Sequence, residues 1–256
     1  MKKNVILALF MLIGITKGLA QFGNSYPTGY GQGSVGLFYG ARIGFKFSPG
    51  IVVNSVEGLK NFKTATSDGV GLRMTVGPIA DFYFSQNYAF STGLLYTVKS
   101  VNYAVGSSFY SNEVFTAKPL TSDETKSANA SYNLQYLQIP ATIKIFSSQI
   151  MDNRTPIYLQ FGGTFDVKIA EKALDKISNP IYQYQQRLPN LPSVFTFGDI
   201  NMLIGLGTEI PISANGDVIF VGLQYQRGLT QINNSPEFAD LMTKNTLIGL
   251  DFGIRF

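Results

Sequence analysis

The chain has 256 residues, 45% of them hydrophobic and 14% charged, with 26 Gly and no His, Cys or Trp. Soluble domains carry about 25% charged residues, so an ordinary cytosolic protein is a poor fit, and the missing imidazole and thiol exclude Cys/His zinc sites, disulfides, thiol redox chemistry and His-based catalysis. The net charge of +4 is local: Lys2, Lys3 and Lys17 lie in the first 20 residues, which hold no acid, and beyond them seventeen bases face sixteen acids. No nucleic-acid partner is expected.

Lys2 and Lys3 precede an apolar run from Val5 to Ile13, and Gly18 and Ala20 supply small residues before Gln21. This reads as a cleaved export signal over residues 1–20, because the run is too short for a transmembrane helix of about 20 residues. No Cys follows it, so a lipid-anchored product is not expected. Residues 21–34, rich in Gly and Tyr without apolar periodicity, read as a flexible lead-in.

Residues 35–256 alternate with a period of two. Val35, Leu37, Tyr39, Ala41, Ile43, Phe45 and Phe47 share one face, against Gly36, Phe38, Gly40, Arg42, Gly44 and Lys46 on the other. The pattern returns around Val70–Val76, Phe90–Val98, Leu137–Ile145, Ile157–Ile169, Met202–Ile210, Ile219–Tyr225 and Ile248–Phe256. Eight such strands, near the 9–11 residues that a tilted strand needs to cross a bilayer, fit either a soluble sandwich or a membrane barrel. The face opposite the apolar one decides. It is mostly Gly, Ser, Thr and Gln with single charges, suited to a cramped interior and poor for a water-facing sheet. The expected fold is all-β: an eight-stranded antiparallel up-and-down transmembrane β-barrel.

Connections at 85–87, 147–156 and 213–217 are short, while those at 48–68, 104–131, 171–197 and 230–244 are long. Short periplasmic turns and long extracellular loops have this alternation, which puts both termini in the periplasm. Asn215-Gly216-Asp217 is a tight-turn signal. Pro78 and Pro140 fall inside strands, where each removes a ladder donor, and predict a bulge or early strand end at each. Phe256 closes the last strand in the manner of a signal for barrel-assembly machinery.

The segments NYAFSTGLLYTVKSVNY from Asn87, LQYLQIPATIKIF from Leu134, YLQFGGTFDVKIA from Tyr158, IFVGLQYQRGLTQI from Ile219 and LIGLDFGIRF from Leu247 resemble the PorT-type outer-membrane β-barrel family. The Tyr136–Pro140 run is the most specific of them. The resemblance implies a barrel in the outer membrane that tolerates Pro140, and one family member is linked to type IX protein secretion. Only fold and location carry over, since no motif singles out the secretion component.

A barrel of eight strands fills with side chains rather than water, so a general porin is excluded. The interior charge cluster is expected to be Arg42, Lys46, Arg73, Lys99, Asp166, Lys168 and Asp251. Arg42, Lys46, Arg73, Lys99 and Lys168 are expected toward the outer end, with Asp166 and, lower down, Asp251; Lys144 and Arg255 are placed near the periplasmic end with Asp81 and Glu209. Two readings stand: a plug of ion pairs, or an anion-attracting outer mouth. Asp123 and Glu124 in the longest loop are adjacent and read as a solvated tip rather than a catalytic pair. No enzyme activity, cofactor or metal is expected. EKALDKI (171–177) suggests one or two helical turns, and Ser235-Pro236-Glu237 a short helix from Pro236 to about Met242. Tyr182, Tyr184, Leu188 and Leu191 form a candidate loop interaction surface. The expected role is structural, binding or accessory to envelope transport, through the outer loops. The partners are outer-membrane lipid, assembly machinery and envelope or secretion proteins. A type IX component and a narrow gated pore are the alternatives.

Overall fold

A computed structural model describes residues 40–85, 87–106, 128–147, 155–213, 217–233 and 235–256. The export signal, the lead-in, the first residues of the expected first strand, the Asp123/Glu124 tip and the Asn215-Gly216 turn lie outside the described residues.

The strands are β1 (Gly40–Gly58), β2 (Thr66–Ser67), β3 (Val70–Tyr83), β4 (Tyr88–Gly93), β5 (Leu95–Val105), β6 (Ala128–Phe146), β7 (Ile157–Ala173), β8 (Gly198–Pro211), β9 (Val218–Gly228) and β10 (Leu241–Arg255), with one α-helix, α1 (Pro180–Arg187). All pairings are antiparallel. From β1 the hydrogen-bonded order runs through β10, β9, β8, β7 and β6, then to β4 and β5, then β3, which pairs back onto β1. β4 and β5 keep one register against β6 and act as two segments of a single span. The ladders therefore return to their start as a ring of eight spans, and among the described residues no long strand is left with an open edge.

The prolines act differently from expectation. Neither Pro78 nor Pro140 ends its own strand or shifts its register: Pro78 pairs with Phe45 and Pro140 with Thr164. The interruption falls on the strand between them, at Leu94, which separates β4 from β5. Each proline lacks the N–H that this strand would have accepted, and Leu94 N donates instead to Pro78 O at 3.0 Å. Gly77, at φ +157°, allows the adjoining turn of backbone where a Cβ would strike Leu94 O. The register shift in β6/β7 lies elsewhere, beside Gln135 and Tyr136.

Three expected connections are shorter than the sequence suggests. β1 runs through Ser48-Pro49-Gly50 to Gly58 because Pro49 stays paired to Met74 while the ladder to β10 skips from Phe47↔Phe252 to Gly50↔Gly249. β7 runs through Glu171 and Lys172 to Ala173, which pairs with Tyr132, so the first part of EKALDKI is strand, and only a single turn follows, in which Asp175 O accepts from Ser178 N and Asn179 N. The helix comes afterwards. Asn179 caps α1 by accepting from Tyr182 N at 3.0 Å, with Pro180 at its start. The same signal at Ser235-Pro236 produces only two turns, Phe238 N to Ser235 O and Leu241 N to Phe238 O, before β10 begins. Strand pairing of Leu241 with Gly58 overrides the local preference.

Outside and inside exchange polarity along the strands. Over most of the ring the outward row is apolar and exposed, as at Phe45, Leu72, Ile143, Phe165, Ile204 and Leu250, with Leu72 74% exposed. At the end where β5 runs into β6, the outward row becomes Ser100, Asn102, Ser131 and Asn133, with Ser55, Glu57, Lys172 and Lys244 on neighbouring strands. There the apolar residues turn inward: Val101, Tyr103, Tyr132, Leu134 and Tyr136 are fully buried. An apolar outer belt matches lipid, and the end beyond it has the polarity of a protein in water.

Arg in place of Ile204, in the middle of the belt, should destabilise the protein in lipid vesicles by about 2–4 kcal/mol. Arg in place of Ser55, beyond the belt, should change stability by less than about 0.5 kcal/mol. Reversible denaturant unfolding measures both.

Candidate functional site

The inside of the ring is built from charges on alternate strand positions, and among the described residues the fully buried ones balance: Lys46, Arg73, Lys99, Lys144 and Arg255 against Asp81, Asp166, Asp199, Glu209 and Asp251. They form two groups. Near the end holding Gly40 and Tyr83, Asp81 takes Lys144 Nζ at 2.8 Å and Arg255 Nε at 2.9 Å, and Arg255 also pairs with Glu209. Arg42 reaches Glu209 at 3.5 Å. The Arg255 guanidinium lies 4.1 Å from the Phe220 ring centroid, which covers it with an aromatic face.

Further along, Lys46 Nζ donates to Asp251 Oδ2 and to Gln224 Oε1, each at 2.6 Å. Lys99, with no exposed side-chain surface, sits 2.6 Å from Asp166 and 3.4 Å from Asp199. Asp166 also accepts from Gln138 Nε2 at 2.8 Å and Asn201 Nδ2 at 3.2 Å. Arg73 Nη2 donates to Gln138 Oε1 at 3.2 Å. Between the two groups a cavity of about 20 Å³, lined among others by Lys46, Lys144, Gln224 and Asp251, has room for one water. Charges taken out of water need partners of this kind, and their packing fills the bore.

The structure brings Lys46, Arg73, Lys99, Asp166 and Asp251 together in this band. Arg42 stands elsewhere than expected: because β1 continues to Gly58, it lies with Glu209 and Tyr83 at the opposite end from the long loops. Lys168 is also separate, bound to Glu171 at 2.8 Å and to Ser193 Oγ and Phe195 O. The excess of base expected at the outer mouth is therefore reduced to Lys168, which its partners occupy. Asp199 is a member that the sequence reading missed. Its place in the inward row, two residues before Asn201, was a readable signal once β8 was started early enough.

At the loop end an apolar cap closes the ring. Phe62, Tyr103, Ile181, Tyr184, Phe195 and Phe238 belong to one buried cluster with the inward residues of β5 and β6. Tyr184 sits edge-on between Phe62 (6.1 Å) and Phe238 (5.7 Å), and Phe195 edge-on to Tyr132 at 5.1 Å. Burial raises the Tyr184 phenol above its ordinary pKa. Glu171 pins the segment over the mouth, accepting from Ser193 Oγ at 2.7 Å and Val194 N at 3.2 Å. The expected loop surface is mostly cap: Tyr184 is buried, Tyr182 and Leu188 pack partly against the cluster, and Leu191 alone of the four is exposed, at 54%. The reason is amphipathic: one face of α1 carries Ile181 and Tyr184 at helical spacing and turns inward. Beside the cap lies an open groove of about 300 Å³ lined by Tyr132, Tyr182, Gln185, Gln186 and Leu191 with Glu171, Ala173 and Ser193.

Among the described residues no group of three acids is placed to hold a metal ion. Replacing Lys99 by Met should destabilise the protein by about 3–5 kcal/mol, since Asp166 and Asp199 lose their shared cation. Adding Asp166→Asn should recover part of that loss, and a double-mutant cycle by denaturant unfolding measures the coupling.

A family model described as outer membrane protein beta-barrel domain matches residues 21–234. The solved structures that are similar include three outer membrane proteins. The outer membrane protein OprG from Pseudomonas aeruginosa is 12% identical, with 83% of this chain and 95% of that one covered, at a TM-score of 0.43. AlkL is 10% identical, with 90% and 97% covered, at 0.41. Ail, the attachment invasion locus protein of Yersinia pestis, is 11% identical, with 84% and 99% covered, at 0.31. No curated protein matches. The family match spans most of the sequence, and the chain belongs to the outer membrane protein beta-barrel domain family.

Proposed function

We propose that this chain is an eight-stranded up-and-down barrel that spans the outer membrane, with both termini and the short turns in the periplasm and the capped end outside the cell. Its role is structural, binding or accessory to envelope transport, exerted through the outer loops. The observation that carries this reading is the polarity exchange: an apolar belt around polar ion pairs, giving way to a water-compatible outer wall around the apolar cap. A short connection joins β3 to β4, with Phe84 N and Ser85 N both donating to Tyr88 O. The elements beyond the belt, by contrast, include α1 and the segments that carry Phe62, Phe195 and Phe238. The ordered cap beside a groove is a binding surface rather than a set of loose linkers.

Outer-membrane lipid is the solvent of the belt, and barrel-assembly machinery is the partner during biogenesis. Catalysis has no place in this reading: the chain has no His or Cys, and most of the buried charges are held in ion pairs. A second reading, an accessory to type IX secretion, rests on the resemblance of the Tyr136–Pro140 region to PorT-type barrels. The closed bore speaks against a pore in the resting state.

The absence of Cys makes orientation testable with single cysteines. Gln186→Cys on α1 should react with a membrane-impermeant maleimide on intact cells, and Ser85→Cys only after the outer membrane is broken. The opposite pattern, or equal labelling of both, contradicts the proposed orientation.

A further inference from the structure

We propose that the open groove beside the cap binds a small uncharged sugar through Tyr132, Tyr182, Gln185 and Gln186. The groove lies at the capped end, so the proposal deepens the reading of that end as the working surface and rests on it. Its volume of about 300 Å³ falls at the lower end of the range for small-molecule sites, about 300–1,000 Å³. Tyr132 gives the first indication of a ligand. It lines the groove and is fully buried, yet its hydroxyl has no hydrogen-bond partner. A buried hydroxyl left unpaired costs free energy that a ligand oxygen would recover. Burial, and after it the charge of Glu171, holds the phenol well above its ordinary pKa, so it stays a donor. The second indication is the lip. Asn190 and Leu191 have φ of +66° and +44°, left-handed backbone at two consecutive non-glycine residues. Such strain gathers at ligand clamps, and here it holds Leu191 exposed in the groove's lining.

The lining decides the chemical class. Its one ionised side chain is Glu171, whose carboxylate already accepts from Lys168 Nζ, Ser193 Oγ, Val194 N and Phe195 N. Lys176 Nζ stands 5.3 Å from the Tyr182 ring centroid but does not line the groove. A phosphate or carboxylate would therefore find no cation in the lining, and an amine no uncommitted anion. What remains is amide and phenol. Gln185 Nε2 donates to Pro192 O at 2.8 Å, which fixes that side chain, and among the described residues nothing holds its Oε1 or the Gln186 amide. Amides and phenols both donate and accept, as does every sugar hydroxyl. Tyr182 and Leu191 add apolar surface for the C–H face of a ring. An alkyl chain would strip water from the two amides and return no hydrogen bond.

The full chain is refolded in micelles of an amine-oxide detergent, which carries no sugar, and saturation-transfer NMR is recorded with maltose, lactose and diacetylchitobiose as probes. Glucose 1-phosphate and hexanol are the charged and apolar comparisons. At least one disaccharide should receive transfer at its ring protons, more strongly than either comparison. Tyr132→Phe removes only a hydroxyl that has no partner to lose, so it should fold as the wild type does and bind about fivefold more weakly. Gln186→Ala, at an exposed position of α1, should also weaken binding and decides the matter alone if Tyr132→Phe fails to fold; circular dichroism verifies folding. Displacement of the disaccharide by added lipopolysaccharide assigns the sugar of a surface lipid, and no displacement a free sugar; both support the class. No transfer to any disaccharide, stronger transfer to glucose 1-phosphate or hexanol, or equal transfer in wild type and folded variants overturns the proposal. Micelles expose both ends of the barrel, so a failure here counts against the sugar and leaves the orientation to the maleimide labelling.

Discussion

Inside hydrocarbon a peptide N–H or C=O has no partner except another peptide group, and each one left over costs several kcal/mol. The pairing of β1 with β10, from Gly44↔Arg255 to Gly58↔Leu241, answers that constraint, because it joins the first described strand to the last. The rest of the molecule is arranged around it. Closure leaves a narrow bore, so the inward rows must be small or must interlock. They do both, with glycines at positions 50, 205, 207, 222 and 249 and ion pairs between them.

The local breaks become intelligible in the same frame. A proline in a closed ring has no free edge to sit on. Pro78 and Pro140 are accommodated because they flank one place, so the lost bonds fall together at Leu94 and a single strand is interrupted instead of two. Pro49 is handled in the same way, its missing donor lying where the β1–β10 ladder skips. Concentrating defects keeps the remaining ladders in uniform register.

Much of the ring was legible because a period of two has only two phases. Leu72, Ile143, Phe165 and Leu250 could be assigned to one face from the sequence and are all exposed. The exchange of faces was written in β6 as well: Tyr132, Leu134 and Tyr136 occupy even positions, then Leu137, Ile139 and Ile143 odd ones. Reading β6 only from Leu137 hid it, and with it the cap. The axial order of the charges failed for a related reason. An error in where β1 ends moves Arg42 from one end of the ring to the other, although its side of the strand is unaffected. The helices were misplaced because capping signals at Asn179-Pro180 and Ser235-Pro236 are locally equivalent. What separates them is tertiary: one segment has a buried place for Ile181 and Tyr184, and the other is drawn into β10 by Leu241.

The central claim is that the apolar rows face lipid while the bore is filled. Nitroxide side chains placed one at a time from position 129 to 145 of β6, in lipid vesicles, test it through their accessibility to oxygen and to a water-soluble nickel chelate. Odd positions from 137 to 145 should be open to oxygen and closed to nickel, odd positions from 129 to 135 open to nickel, and even positions closed to both. If odd positions 137 to 145 were closed to both reagents, these side chains would be packed inside protein, and the account would be contradicted.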